Sequence, residues 1–543
     1  MLKNTIGLLL LSCIITAGCN KKEDVYPDPY AGAKKNAPVQ FSDELPTPQR
    51  GSAGDQVTFK VTGLLPFKGT ARFYMSGKEA QIISITDKTV TVKVPDGASS
   101  GSGWINIGND VYPASLFRVN GKVKLDNTFR AGTGADGMVL GIVPTSDSRY
   151  LITGNFKLYN SNGVGNPLNG IALIERHGQY VDAFRTDSAV YRFGSISTAV
   201  QLPDNKFLIG GQFDRYGRMK GINGITRIHT AGMIDTTTVR IVPEQLGETD
   251  PHAGGPTEEE RATDTVPAFN GGVTGVISKL FYTGNRVIAI GSFFYYVQYY
   301  YANSTKSTRS IDLRRVNNIV AMDVNGNLDS SYHYNLATHQ GEGGPQGGLT
   351  DGVVLPGGRL LLVGKFNKFD NTAAGSIVCL DANGRIDPSF NAGTGATDGA
   401  IASVTYNPVT RKIMLTGTFT TFNGVAGNGL AMLNEDGSMV STFKARTVGG
   451  GSPIYALQMK SGLIAVAGTF NQYDNYTREG LMILQPDGSL AAGYNNTGRL
   501  QGLVFQMQET TSAEGDPAIL ITGTVSSFDN TAVGNIFRIV IEK

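Results

Sequence analysis

Beyond residue 120 one short string recurs seven times: an apolar run, then Gly-x-Phe, then an aromatic residue three positions on. It stands at Gly154-Asn155-Phe156 with Tyr159, Gly211-Gln212-Phe213 with Tyr216, and Gly291-Ser292-Phe293 with Tyr296. It returns at Gly364-Lys365-Phe366 with Phe369, Gly417-Thr418-Phe419 with Phe422, and Gly468-Thr469-Phe470 with Tyr473. The seventh copy, Gly523-Thr524-Val525 with Phe528, puts Val in place of the Phe. The glycines are separated by 57, 80, 73, 53, 51 and 55 residues, so the unit is near 53 residues with two insertions. Self-similarity at such an interval restricts the chain to a repeat architecture. The fifth copy shows the unit without insertions: short strands are expected at 402–406, 412–419, 430–433 and 439–443, joined by Gly, Asn and Asp turns. Four short antiparallel strands per unit describe a propeller blade, whereas solenoid repeats are usually shorter and need capping units.

The ends of the repeat region support closure. The seventh copy stops after its third strand, 536–541, and the missing fourth stands before the first copy, at Gly121 to Phe129. Its Leu125-Asp126-Asn127-Thr128-Phe129 matches Ile386-Asp387-Pro388-Ser389-Phe390, which closes the fourth copy. Residues 120–543 are therefore expected to form a seven-bladed β-propeller closed by pairing of N- and C-terminal strands, which hides two sheet edges.

Composition agrees with an all-β chain. Gly supplies 70 of 543 residues, against a usual share of about 7%. Tyr and Phe number 22 and 25, and 40% of residues are apolar with only 17% charged, which argues against disorder. The Gly has no three-residue period, so collagen is excluded. Charge is nearly balanced, 47 basic against 45 acidic residues, with no long basic run; no nucleic-acid partner is expected. Cys13, Cys19 and Cys379 cannot build a disulfide framework.

Residues 1–18 read as an export signal: Lys3, an apolar stretch from Ile6 to Ile15, then Thr16-Ala17-Gly18. The stretch is short of the ~20 residues a stable membrane span needs. Small residues ending at Cys19 resemble the bacterial lipobox, with Thr16 where that pattern prefers Leu. The resemblance implies acylation of Cys19 and firm attachment to a membrane through the lipid anchor. The following Asn20-Lys21-Lys22-Glu23-Asp24 resembles the signal that sends lipoproteins to the outer surface in some Gram-negative glycan degraders. Residues 19–37, with Pro27 and Pro29, then form the lipidated Cys and a flexible tether.

Residues 38–119 alternate apolar and polar in short runs with turns at Gly63, Gly77 and Pro95-Asp96-Gly97, the pattern of a small β-sandwich. The opening Gly54-Asp55-Gln56-Val57-Thr58, the Val92-Lys93-Val94-Pro95 string and the closing Phe117-Arg118-Val119 resemble an immunoglobulin-like IPT/TIG domain. In surface glycan-binding lipoproteins of glycan-utilisation systems such domains act as spacers. Trp104 is read as packing within this domain. The repeat region resembles the delta-sixty repeat family, on Asp387-Pro388-Ser389-Phe390, Leu328-Asp329-Ser330-Ser331-Tyr332 and Leu125-Asp126-Asn127-Thr128-Phe129. That family implies the propeller fold and little about activity.

Candidate chemistry lies in two insertions, 236–272 between the second and third units and 295–317 within the third, which topology sends to one face of the ring. Tyr295, Tyr299, Tyr300 and Tyr301, with Tyr332 and Tyr334 nearby, are the expected glycan-binding residues, because exposed phenol rings stack on sugar C–H faces and hydrogen-bond through their tips. Phe293 and Tyr296 belong to the repeat and are expected in the core. The Gly-Thr-Gly strings at 132–134 and 393–395 open no helix and carry no following Lys, so they are turns rather than phosphate loops. Asp323 to Asp329 lacks the Gly and Glu of a calcium loop and reads as a hairpin turn.

The five histidines lack metal-ligand spacing and no Gly-x-Ser-x-Gly elbow occurs. No catalytic residues, metal or cofactor are expected. The resemblances and the tyrosines together imply a non-enzymatic outer-membrane lipoprotein facing the extracellular side. It would bind an extracellular glycan in support of an outer-membrane transporter complex. The alternatives are a protein-interaction or adhesion scaffold on the cell surface, and a propeller glycan hydrolase or lyase using Glu258 to Glu260 and Asp264.

Overall fold

Each Gly-x-Phe string lies at or near the end of the middle strand of an antiparallel sheet in the computed structural model, which describes residues 38–186, 189–190, 194–243 and 257–543. Among the described residues seven such sheets follow one another. Their first strands are Met138–Pro144, Ser195–Gln201, Val276–Thr283, Pro345–Leu355, Ile401–Asn407, Pro453–Gln458 and Leu500–Thr511. Each first strand touches the next, and Leu500–Thr511 touches Met138–Pro144, so the sheets close into a ring. The molecule is nearly all β, a β-propeller preceded by a β-sandwich.

The middle strands are buried on both faces because each sheet is packed between two neighbours. Leu361, Val363 and Cys379 of the fourth sheet thus share a core with Val404, Ile413 and Leu433 of the fifth. A strand buried on both sides reads as a continuous apolar run, which is why these segments lack alternation.

The repeat string has a steric and a polar function. At all seven sheets the first strand carries a bulge opposite the motif glycine, as between Ile401 and Ser403 opposite Gly417. A Cβ on Gly417 would lie 2.1 Å from the Ala400 carbonyl oxygen, so only glycine lets the strands approach there. The Phe and the later aromatic fill the space between sheets: Phe419 is 1% exposed and Phe422 fully buried. Where the later aromatic is Tyr, its hydroxyl finds a turn carbonyl. Tyr159 donates to Gly178, Tyr216 to Gly232, and Tyr296 to Gly326, each at 2.7 Å. Phe293 and Tyr296 are buried at 1% and 0% exposure, in the core.

The fourth strand of the unit is shorter than the sequence suggests. In the fifth sheet it is a single bridge, Leu433 to Met439, and the same holds at Ile174–Tyr180, Ile228–Ile234, Met322–Leu328, Leu380–Ile386 and Leu484–Leu490. The Asp of the closing string explains the break in the fourth sheet. Asp387 Oδ1 accepts from the Ser389 amide at 2.9 Å and hydroxyl at 2.7 Å, turning the chain out of the ladder directly after the bridge. Among the described residues only the seventh sheet has a full fourth strand, Val123–Leu125, which pairs with Ile536–Ile541.

Residues 40–119 form eight strands about one core that includes Phe59, Phe73 and Phe117. Lys78–Ile85 pairs first with Arg72–Met75 and then with Thr89–Lys93, turning the corner between the two layers. Trp104 stacks on Tyr74, its cross-strand partner, with ring centroids 5.7 Å apart. The sandwich rests directly on the ring. Ser100 donates its amide to the Asn496 carbonyl at 2.8 Å, Arg118 bonds Asp529, and Lys78 sits 4.0 Å from the Tyr476 ring centre. Residues 476 and 529 lie between second and third strands of their sheets and 496 between the sixth and seventh sheets, the same connections that carry the two insertions.

Candidate functional site

The insertions form two hairpins. Thr236–Arg240 pairs with Thr263–Pro267, and Tyr295–Tyr299 pairs with Ile311–Arg315. They are bound to each other: the Val242 amide donates to Ser304 O at 2.8 Å, Lys306 Nζ donates to Glu260 O at 2.8 Å, and Arg309 pairs with Asp264. Glu258–Ala262 is one helical turn started by a capping box. Thr257 and Glu260 exchange bonds there, and the Thr257 amide is the main reason the Glu260 carboxyl titrates below its ordinary value. Glu260 and Asp264 are thus occupied by local structure.

Strand alternation splits the tyrosines between the two sides of the second hairpin. Tyr295, Val297 and Tyr299 face with Arg315, Leu313 and Ile311; Tyr296 and Gln298 face with Arg314 and Asp312. The Tyr300 amide bonds Ser310 O at 2.9 Å, extending the second side. On that side Arg314 Nε donates to Asp312 Oδ2 at 2.8 Å. The Asp312 bond and charge, with smaller contributions from Tyr334 and Tyr300, raise the Arg314 pKa above its ordinary value. Tyr300 is 52% exposed and Tyr334 half-buried. Tyr334 comes from the small hairpin Tyr334–Asn335 with Gln340–Gly341, beside Ile311–Arg315.

The other expected residues are placed differently. Tyr295 is exposed on the opposite side, across from Arg315, and the same side carries Leu313 and Ile311, both near half exposed. Tyr299 and Tyr301 pack on each other with centroids 5.8 Å apart, and Tyr299 Oη accepts from Asn223 Nδ2 at 3.1 Å. Burial pushes the Tyr301 phenol up to about 12. These two rings fasten the hairpin to the second sheet and offer little free face. Tyr332 is 2% exposed, wedged in the core of the third and fourth sheets with Arg286 over its ring, so it cannot serve as a platform. It occupies the Phe position of the closing string, held elsewhere by the partly buried Phe129 and Phe390.

Sequence reasoning missed a cleft of about 780 Å³ on the same ring face, between the fourth and fifth sheets. Gln346, Lys365, Asn367, Thr394 and Asp398 line it over Phe366. Its openness follows from short connections of small residues, such as Ala373-Ala374-Gly375, where the third unit carries an insertion. The Gly393-Thr394-Gly395 string at its wall is a turn, with both glycines at φ +64°. Asp323 likewise closes a turn, its Oδ1 accepting from the amides of Asn325 and Asn327 at 2.8 Å. The central channel holds about 300 Å³ and contains the Lys279–Asp351 ion pair, with Asp351 Oδ2 accepting the Val404 amide at 3.0 Å. Those groups join neighbouring sheets. Among the described residues no three His, Cys, Asp or Glu side chains gather as metal ligands, and no helix is long and apolar enough to cross a membrane. Cys19 and the expected signal and tether lie outside the described residues.

Two family models match the chain. A domain of unknown function (DUF5008) matches residues 10–114, and a domain of unknown function described as a beta-propeller (DUF5122) matches residues 355–390 and 411–443. The second match falls on the fourth and fifth sheets. No curated protein matches the sequence. Similar solved structures include the WD40 beta propeller domain of Doa1, at 13% identity and TM-score 0.41, covering 78% of this chain and 97% of that one. They include an auxiliary nutrient binding protein from Bacteroides ovatus, at 10% identity and TM-score 0.28, covering 93% and 98%. Another auxiliary nutrient binding protein, from Bacteroides thetaiotaomicron, has 14% identity and TM-score 0.21, covering 70% and 95%.

Proposed function

We propose that this chain is a surface lipoprotein anchored through Cys19 to the outer membrane, where it binds an extracellular glycan without cleaving it and serves an outer-membrane uptake complex. The observation that carries the reading is the group formed by exposed Tyr300, half-buried Tyr334 and the Arg314–Asp312 pair on the insertion-bearing face. A phenol ring offers an apolar face to the C–H side of a pyranose, while a guanidinium donates to its hydroxyls and a carboxylate accepts from them. Single-site affinity at such an open surface is weak, and density on the membrane raises it by multivalency.

Affinity electrophoresis of the chain through gels containing plant, fungal and host polysaccharides tests the reading. Retardation without new reducing ends supports it. Passage through every gel unretarded sinks it. A second reading, docking of a protein, is favoured by one observation only: Ile311 and Leu313 are exposed at 50% and 48% on the hairpin side that also carries exposed Tyr295. Aliphatic side chains do not stack on sugars. That reading expects co-purification with an outer-membrane protein that Leu313→Ser abolishes.

A further inference from the structure

The x position of Gly-x-Phe is Asn155, Gln212, Ser292, Thr418, Thr469 and Thr524 in six copies, all uncharged. The fourth copy alone has a cation, Lys365. Its side chain is exposed and lines the 780 Å³ cleft between the fourth and fifth sheets.

The two charged groups of that cleft are held differently. Its carboxylate, Asp398, is engaged: it accepts from the hydroxyl of Thr420, from the Thr420 amide at 3.2 Å, and from the Thr421 amide and hydroxyl at 3.2 Å. The Thr420 hydroxyl bond is the leading reason its pKa lies below the ordinary value. Asp136 does the same for the first sheet, accepting from the amides of Lys157 and Leu158 at 2.7 and 2.8 Å, so this carboxylate is a loop clip shared by the first and fifth sheets. Lys365 forms no ion pair among the described residues. The cleft thus holds one cation and one carboxylate, and Lys365 is the one without an ion-pair partner among the described residues, while the ionised Asp398 is held by its own loop. Around the two stand the amides of Gln346 and Asn367 and the hydroxyls of Thr394 and Thr397, above Phe366. Its size is that of a small-ligand site.

We propose that this cleft is a glycan subsite for an acidic sugar unit, a uronate or sulfated residue, with Lys365 as the counter-ion and the surrounding amides and hydroxyls as partners for its ring hydroxyls. The inference rests on the glycan-binding reading above and deepens it, by naming the acidic class and a second contact on the same face. An ammonium group in a partly enclosed cleft forms a charge-assisted bond stronger than a neutral one. Its contribution falls with ionic strength, which the neutral contacts at Tyr300 and Tyr334 do not share.

The test uses the full chain in gels of polygalacturonate, alginate and chondroitin sulfate, each run beside a neutral gel of galactan, at low and high salt. The variants are Lys365→Gln and, as a control away from the cleft, Tyr300→Ala. Retardation in an acidic gel that Lys365→Gln weakens about tenfold, with loss of the salt dependence and unchanged melting temperature, supports the proposal. Equal retardation of wild type and Lys365→Gln in acidic gels overturns it. Retardation of the wild type in neutral gels alone also overturns it and leaves the glycan-binding reading standing. No retardation in any gel overturns both.

Discussion

Arg538 Nε lies 2.5 Å from Asp126 Oδ2, joining side chains 412 residues apart. Both are buried, at 0% and 2% side-chain exposure. The guanidinium also donates to the Arg176 carbonyl at 3.0 Å and the Thr128 hydroxyl at 3.2 Å, and lies 5.1 Å from the Phe129 ring centre. The pair stands where the last sheet takes its fourth strand from the beginning of the ring, so it joins the ends that the ring must bring together. The same Arg–Asp contact recurs within the chain at Arg227–Asp235, Arg286–Asp329 and Arg359–Asp387. It is the closing string's own device, used once across the seam.

Removing one partner at the seam leaves a buried charge uncompensated, which costs about 3–5 kcal/mol. Arg538→Met and Asp126→Leu are each expected to lower the melting temperature clearly. The double variant should recover part of the loss, since neither charge then remains. Thermal denaturation of the four proteins measures the coupling; additive losses would show that the pair does not act as a unit.

Acid should unfold the ring through these carboxylates. Burial by itself would raise the pKa of Asp126, Asp235, Asp329 and Asp387, but bonds from neighbouring Ser, Thr, Arg and Lys groups outweigh it and hold each below the ordinary value of 3.8. A carboxyl with a lower pKa in the folded state binds fewer protons there than in the unfolded state. Its stabilisation is full above pH about 3.8 and is lost as pH falls below it. Melting temperature should thus hold level from neutral pH to about 4 and then drop steeply. A decline beginning near pH 6.5 would implicate histidine instead.

Gly417→Ala places a methyl group 2.1 Å from a backbone carbonyl that cannot move without breaking the bulge. We expect a loss of about 3 kcal/mol, the upper range for overpacking. Gly69→Ala, in the sandwich with nothing within 4 Å, should be neutral. Urea titration of both decides whether the repeat glycine is steric in origin.

Tyr300 and Tyr332 should respond in opposite ways. Tyr300→Ala is expected to weaken glycan retention about tenfold with no change in melting temperature. Tyr332→Ala should cost about 3–5 kcal/mol, as for other large core truncations. Tyr332→Phe should be neutral or slightly stabilising, because the buried Tyr332 hydroxyl has no hydrogen-bond partner. Retention gels and thermal melts on the same three proteins separate the roles.

How much of this was written in the chain differs from residue to residue. Gly417, Phe419 and Phe422 were legible because their roles repeat: seven copies under one steric demand leave a period that no single sheet could reveal. Seam closure was legible for the same reason, since the strand missing after Ile541 appears at Val123–Leu125. The fourth strand of each unit was overestimated, because apolar alternation there cannot report that Asp387 takes the Ser389 amide. The tyrosines were legible as a cluster but not by face.

What the sequence alone determined was therefore the local and the periodic: an all-β chain, the repeat, the turn residues and the aromatic core. What only the tertiary structure decided was which side chains share a surface. Tyr300 joins Tyr334 and Arg314 through hairpin register, Tyr295 turns away by the same alternation, and Lys365 and Asp398 line one cleft from two different sheets. The physical reason is range: hydrogen bonding and steric fit along a strand act over a few residues and leave a pattern in order. Proximity across the ring depends on how sheets twist and pack, to which no single segment is a guide.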